Sequence, residues 1–161
     1  MRRSSDPTPA NLVARRLATD RLVVCAAPAY LERVEAPRTP ADLIHHNCLH
    51  YALVPMTREW QFRGPDEPVD IPVQGTLSCT DGTVLREAAL AGLGLAVLPL
   101  FMGAEALAAG RLVEVLAGHR LPELTVYAVV ARRRNLPPRV RLLLDFLSAH
   151  FSTVPWAPRR P

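Results

Sequence analysis

Thr80-Asp81-Gly82-Thr83-Val84-Leu85-Arg86-Glu87-Ala88-Ala89-Leu90-Ala91-Gly92-Leu93-Gly94-Leu95-Ala96-Val97-Leu98-Pro99 decides the fold class of the chain. Thr80 and Asp81 are short polar residues of the kind that cap a helix by accepting first-turn N–H groups. Val84, Ala88, Ala91 and Gly92 follow at i, i+4, i+7 and i+8, which predicts one buried helix face. Gly92 and Gly94 end the helix and turn the chain, and Leu95 to Leu98 is a continuous apolar run stopped by Pro99. A run without alternation suits a strand covered on both faces. The order helix, Gly-x-Gly, strand is the reverse of the dinucleotide fingerprint, which needs strand, glycines, helix. That order argues against a nicotinamide site.

Working outward, Leu12 to Leu17 reads as a short strand and Arg21 to Ala26 as a buried one. Pro28-Ala29-Tyr30-Leu31 opens a short helix with proline at a tolerated position. Thr39-Pro40-Ala41-Asp42-Leu43 starts another that ends near His46, and Asn47 to Leu53 reads as a strand. Trp60-Gln61-Phe62 forms one arm of a hairpin whose partner lies in Val69 to Ser78, where Ile71, Val73 and Leu77 alternate with polar neighbours. After Pro99 come a helix through Leu107 closed by Gly110, a strand at Leu112–Leu116 and a strand at Leu124–Ala131. Pro137-Pro138 begins a last helix with Val140, Leu143, Leu144, Leu147 and Phe151 on one stripe. Strands alternating with helices predict an α/β fold with mixed, mostly parallel sheets.

The 161 residues are 49% apolar and 21% charged, enough for a real core and unlike a disordered chain. The net charge of +4 rests on arginine alone, since no lysine occurs. The three cysteines, Cys25, Cys48 and Cys79, are isolated in apolar runs and read as reduced thiols of a cytoplasmic protein. The amino end, Met-Arg-Arg-Ser-Ser-Asp-Pro, lacks an apolar segment of the secretory kind, and no apolar stretch is long enough to span a membrane.

Few residues point to chemistry. His46, Cys48 and His50 would share a strand face beside His45, yet no second ligand pair follows at zinc spacing, so no metal is expected. No Gly-x-Ser-x-Gly elbow occurs, and Asp66, Glu67 and Asp70 suit a solvated hairpin turn. Arg132-Arg133-Arg134 with Arg139 and Arg141 reads as a solvated basic face. The helix start at Thr80-Asp81-Gly82-Thr83 differs in kind, because free N–H groups and the positive dipole end suit an anion. Ser78 and Thr80 add hydroxyls there, enough to hold a small carboxylate without any catalytic group.

Taken in order, Leu22 to Leu31, Thr39 to Leu43, Trp60 to Phe62, Thr80-Asp81, Ala88 to Pro99, Gly110 to Val113, Val126 to Val129 and Leu136 to Val140 resemble the effector-binding domain of LysR-type transcriptional regulators. The resemblance implies two lobes like those of type 2 periplasmic binding proteins, with a small effector in the cleft. Residues 1–19 would be a remnant of the first lobe and its crossover, 20–118 the complete second lobe, 119–152 the return to a partial first lobe, and 153–161 a disordered tail. The family's winged helix-turn-helix has no counterpart, so the chain is expected to be a fragment or mis-started frame, with DNA binding and homo-oligomer formation left to an intact protein. The family's cleft falls on Pro28 and Tyr30, on Tyr51 to Leu53, and on Ser78 to Asp81. Thr80 with the backbone of Asp81, Gly82 and Thr83 would hold an anionic, carboxylate-like end, while Tyr51 or Trp60 packs on the apolar part. Neither cofactor, metal nor membrane is implied. A stand-alone solute-binding protein is the alternative, and an enzyme on this scaffold has no anchoring residue.

Overall fold

The computed structural model describes residues 12–52, 59–63, 68–131 and 136–152. The expected strand end at Leu53, the Asp66–Glu67 turn, Arg132 to Arg134 and both terminal tails lie outside these residues. The chain divides into two compact units, one of residues 1–20 with 125–161 and the other of 21–124.

The second unit is built on a five-stranded sheet. Its strands are β2 (Leu22–Ala26), β3 (Cys48–Tyr51), β6 (Ser78–Cys79), β7 (Leu95–Pro99) and β8 (Val113–Val115), in the spatial order β6-β3-β7-β2-β8. β6, β3 and β7 run parallel, whereas β2 is antiparallel to both β7 and β8. The sheet is mixed as expected, but parallel pairing is confined to one half of it. Antiparallel β2 pairs with β7 across some seventy intervening residues, a long-range partnership that local periodicity does not encode.

Successive side chains of a strand point to opposite faces, and both faces here are covered. On one face Val23, Cys25, Leu49, Ala96 and Leu98 pack under α2 (Gly82–Leu90) and α3 (Leu100–Ala108) through Leu85, Ala89 and Ala106. On the other, Val24, Ala26, Cys48 and Leu95 pack with Tyr30 of α1 (Pro28–Leu31), Leu43 of the 3-10 helix Pro40–His45, and Trp60 and Phe62. Those two aromatics belong to β4 (Glu59–Phe62), which pairs antiparallel with β5 (Val69–Pro72), Phe62 opposite Val69 and Trp60 opposite Ile71. The hairpin is thus the one expected, but its second arm stops at Pro72, where the missing N–H ends the ladder.

The buried face of α2 is corrected by one position. Leu85 and Ala89 are the buried residues, while Val84 is 47% exposed and Ala91 also faces solvent. Leucine at 85 brings more hydrocarbon to the sheet than valine at 84, and the i, i+4 spacing serves both faces equally. The helix closes in a Schellman motif: Leu93 N–H donates to Ala88 O at 3.1 Å, Gly92 N–H to Ala89 O at 3.0 Å, and Gly92 has φ +74°. Arg33 completes the end by donating to Gly92 O at 2.6 Å.

The first unit holds β1 (Leu12–Asp20), β9 (Leu124–Ala131) and α4 (Pro138–Phe151), with β1 and β9 paired and α4 packed on β1. β1 runs beyond the expected end at Leu17, through Ala18 and Thr19 to Asp20. Of the stripe expected on α4, Leu144 is buried and Leu143 is 54% exposed. Leu142 and Phe146 are exposed as well, and Arg15 pairs with Asp145 at 2.7 Å. Among the described residues no helix is long and apolar enough to cross a membrane.

Candidate functional site

In an open α/β sheet the carboxyl ends of parallel strands are where ligands bind, because the chain there leaves the sheet for loops and helix amino ends. β3 ends at Tyr51, β6 at Cys79 and β7 at Pro99, and α2 and α3 begin just beyond the last two. At this edge of the second unit lies a cavity of about 510 Å³. Leu49, Leu85, Val97 and Leu98 form its floor, Gly82, Phe101 and Met102 its helical wall, and Trp60 with Leu121 and Pro122 further walls. Tyr51, Glu59 and Gln61 bring the polar side chains.

Of the residues expected from sequence, Tyr51, Trp60 and Gly82 meet around this cavity. Trp60 is 6% exposed, and Gly82 leaves room where a Cβ would come within 3.0 Å of the Met102 methyl. Ser78 and Thr80 are exposed and lie outside the lining, as do Asp81 and Thr83. Asp81 caps α2, its carboxylate accepting the Thr83 N–H at 2.7 Å, so one first-turn donor already has a partner. Cys79 donates its S–H to Asp81 O at 3.3 Å.

Tyr30 has a structural position. It is 4% exposed in the core beneath the sheet, where its hydroxyl accepts the Asn47 N–H at 3.1 Å and lies 3.2 Å from His46 Nδ1. Burial pushes the Tyr30 phenol above its ordinary range and holds the His46 imidazole below its own. His46 thus faces Tyr30, and Cys48 is fully buried with its thiol pushed up to about 12. Among the described residues no group of His, Cys, Asp and Glu is arranged to hold a metal.

Glu59, Phe101, Met102, Leu121 and Pro122 were not singled out by the sequence. They reach the cavity from three separate segments, and only the antiparallel return of β2 and β8 brings the 121–122 segment to this edge. The apolar Leu100-Phe101-Met102 run directly after Pro99 is the local signal for two of them.

Residues 2–152 match the LysR substrate binding domain. The chain belongs to that family. It is 33% identical over 155 residues to the HTH-type transcriptional regulator DmlR of Escherichia coli, covering 93% of this chain and 49% of that protein. With the HTH-type transcriptional regulator PtxR of Pseudomonas aeruginosa it shares 30% identity over 150 residues, covering 93% and 48%. The LysR-domain chain thus spans about half the length of these curated relatives. Among solved structures, the full-length virulence activator AphB of Vibrio cholerae superposes with a TM-score of 0.78 at 27% identity, over 89% of this chain and 49% of that one. The regulatory domain of CrgA from Neisseria meningitidis does so with a TM-score of 0.77 at 26% identity, over 88% and 70%. These likenesses agree with the two α/β units and fix the fold as that of LysR regulatory domains.

Proposed function

We propose that the second unit is the effector-holding part of a LysR-type transcriptional regulator, with the apolar body of a small organic molecule lodged in the cavity at the ends of β3 and β7. The cavity carries this reading: its volume falls within the range of small-molecule sites, and it combines a hydrocarbon floor with a few polar groups, Tyr51, Glu59 and Gln61. The role is binding rather than catalysis, in keeping with relatives named as transcriptional regulators. DNA is contacted by the helix-turn-helix part of an intact regulator, which acts as a homo-oligomer in the cytoplasm. Effector binding changes DNA binding there to the extent that its affinity differs between two arrangements of the protein.

An anionic effector is the second reading, favoured by the amino end of α2, whose dipole attracts negative charge. Its carboxylate would lie against Thr80 and the backbone of 81–83, with Ser78 beside them and Tyr51 or Trp60 on the apolar portion.

Calorimetric titration of an organic-molecule panel tests both readings. Tyr51→Ala is expected to weaken any cavity ligand about tenfold, the equivalent of ~1.4 kcal/mol of lost aromatic packing. An unchanged dissociation constant overturns the cavity assignment. Thr80→Ala weakens a carboxylate alone if the anion sits at α2, and leaves every ligand unaffected if it does not.

A further inference from the structure

We infer that the cavity selects an apolar molecule ending in a cationic or neutral hydrogen-bond donor, of which an aryl-alkyl amine is the simplest example, and turns carboxylates away. This rests on reading the cavity as the effector site, and it goes further by assigning the charge of the ligand.

The described lining residues include no arginine, lysine or histidine, and their one carboxylate is Glu59. An anion entering such a space leaves water, finds no countercharge among the described lining residues and approaches a like charge. The neighbouring helix end does not reverse this balance. Gly82 touches the cavity, but the residue before it, Asp81, already places a carboxylate on the first turn of α2, bound to the Thr83 N–H at 2.7 Å. A ligand anion there competes with a tethered one.

Arg21, Arg58, Arg86 and Arg120 each neighbour a lining residue in sequence; Arg86 pairs with Glu87, and Arg21 is engaged as well. Both Glu114 oxygens accept from its guanidinium, at 2.5 and 2.9 Å, a bidentate arrangement that holds the charge in place. Glu59 sits on β4 next to Trp60, exposed at the rim where the buried indole begins. An aromatic ring packed on Trp60 and Val97 shares its lining with the Glu59 carboxylate, and an ammonium or hydroxyl at the end of its alkyl tail donates to that carboxylate. Tyr51 and Gln61 offer further acceptors for the remaining donor hydrogens.

The test uses three molecules with one apolar body, phenylbutylamine, phenylbutanol and phenylbutanoate, titrated into the full chain at neutral pH. The amine is expected to bind tightest and the carboxylate weakest, with about fivefold between amine and alcohol, as for a partly exposed ion pair. Glu59→Gln should bring the amine down to the alcohol while leaving the alcohol unchanged. Glu59 is exposed, and an unaltered melting temperature for the variant separates lost charge from lost fold. Tightest binding by the carboxylate, or an amine preference that survives Glu59→Gln, overturns the inference while leaving the cavity as the site. If none of the three binds, the cavity reading fails and this inference with it.

Discussion

The Asp81 carboxylate accepts the backbone N–H of Thr83 at 2.7 Å, so α2, whose first residue Gly82 lines the cavity, is capped by its own acid. Two properties of the chain meet in that contact. It satisfies a donor that the helix leaves unpaired, and it sets a negative charge at the positive end of the dipole.

Replacing the acid separates these roles. Asp81→Ala is expected to cost about 1 kcal/mol of stability through loss of the cap. Asp81→Asn keeps an acceptor oxygen and should stay within about 0.5 kcal/mol of the parent, since asparagine caps as well as aspartate. Removing the charge should also let phenylbutanoate bind more tightly in Asp81→Asn than in the parent. Denaturant midpoints and calorimetry on the two variants measure both effects, and equal losses from both substitutions would show that charge rather than capping holds this turn.

The buried hydroxyl of Tyr30 gives a second, independent prediction. It accepts from the Asn47 N–H, which leaves its own hydrogen for His46 Nδ1 and requires that nitrogen to be unprotonated. Tyr30→Phe leaves both partners without their bond and is expected to cost about 1–3 kcal/mol, the penalty for buried polar groups left unpaired. Acid acts on the same contact. Burial is the main cause that holds the folded His46 below its ordinary value of 6.5, with His45 adding to it and Asp42 opposing it. The unfolded chain therefore binds a proton first as pH falls through 6.5, so the stability His46 contributes is present above that value and is lost below it. Asp42 acts in the same sense at lower pH: backbone N–H groups of Thr39 and Arg38 hold its carboxyl below 3.8, so its contribution too is lost on acidification. Melting temperatures across the mildly acidic range should fall for the parent. A flat profile through 6.5 would remove His46 from this account.

Much of the fold was legible because its strands are apolar runs with clear stops. Leu22 to Ala26 and Leu95 to Pro99 lie at the middle of a sheet covered on both faces, and such strands need no alternation to be recognised. β6 was hidden for the opposite reason: Ser78 and Cys79 form a two-residue strand at an edge, paired to β3 with no hydrophobic pattern of their own. The one-position error on α2 arose because Val84-Leu85 and Ala88-Ala89 give two faces with the same spacing, and only the sheet beneath chooses between them. The candidate site was legible in part. Tyr51 and Trp60 are named through the family resemblance, whereas Glu59 beside Trp60 and Leu121 far downstream acquire their meaning only when the topology brings them to one edge.

Gly92 and Gly94 read alike in the sequence but do different work, and substitution should tell them apart. At Gly92 the requirement is conformational: φ is +74°, and an added Cβ would meet nothing closer than 3.7 Å. Gly92→Ala is therefore expected to cost about 1–2 kcal/mol, the strain of a left-handed L-residue. At Gly94 the requirement is space. A Cβ there would stand 2.1 Å from the Asn47 carbonyl oxygen, and that oxygen is the acceptor for the Leu95 N–H at 2.9 Å that starts the β3–β7 ladder. Asn47 cannot retreat cheaply, because its side chain also donates to Leu93 O at 2.7 Å and accepts the Thr76 N–H at 2.8 Å. Gly94→Ala should accordingly cost about 3 kcal/mol or more, beyond the usual range for a single added methyl group. Urea denaturation of the two variants checks the ordering. If Gly94→Ala proved the milder of the two, the close approach of the 94 backbone to β3 would not be what selects glycine at that position.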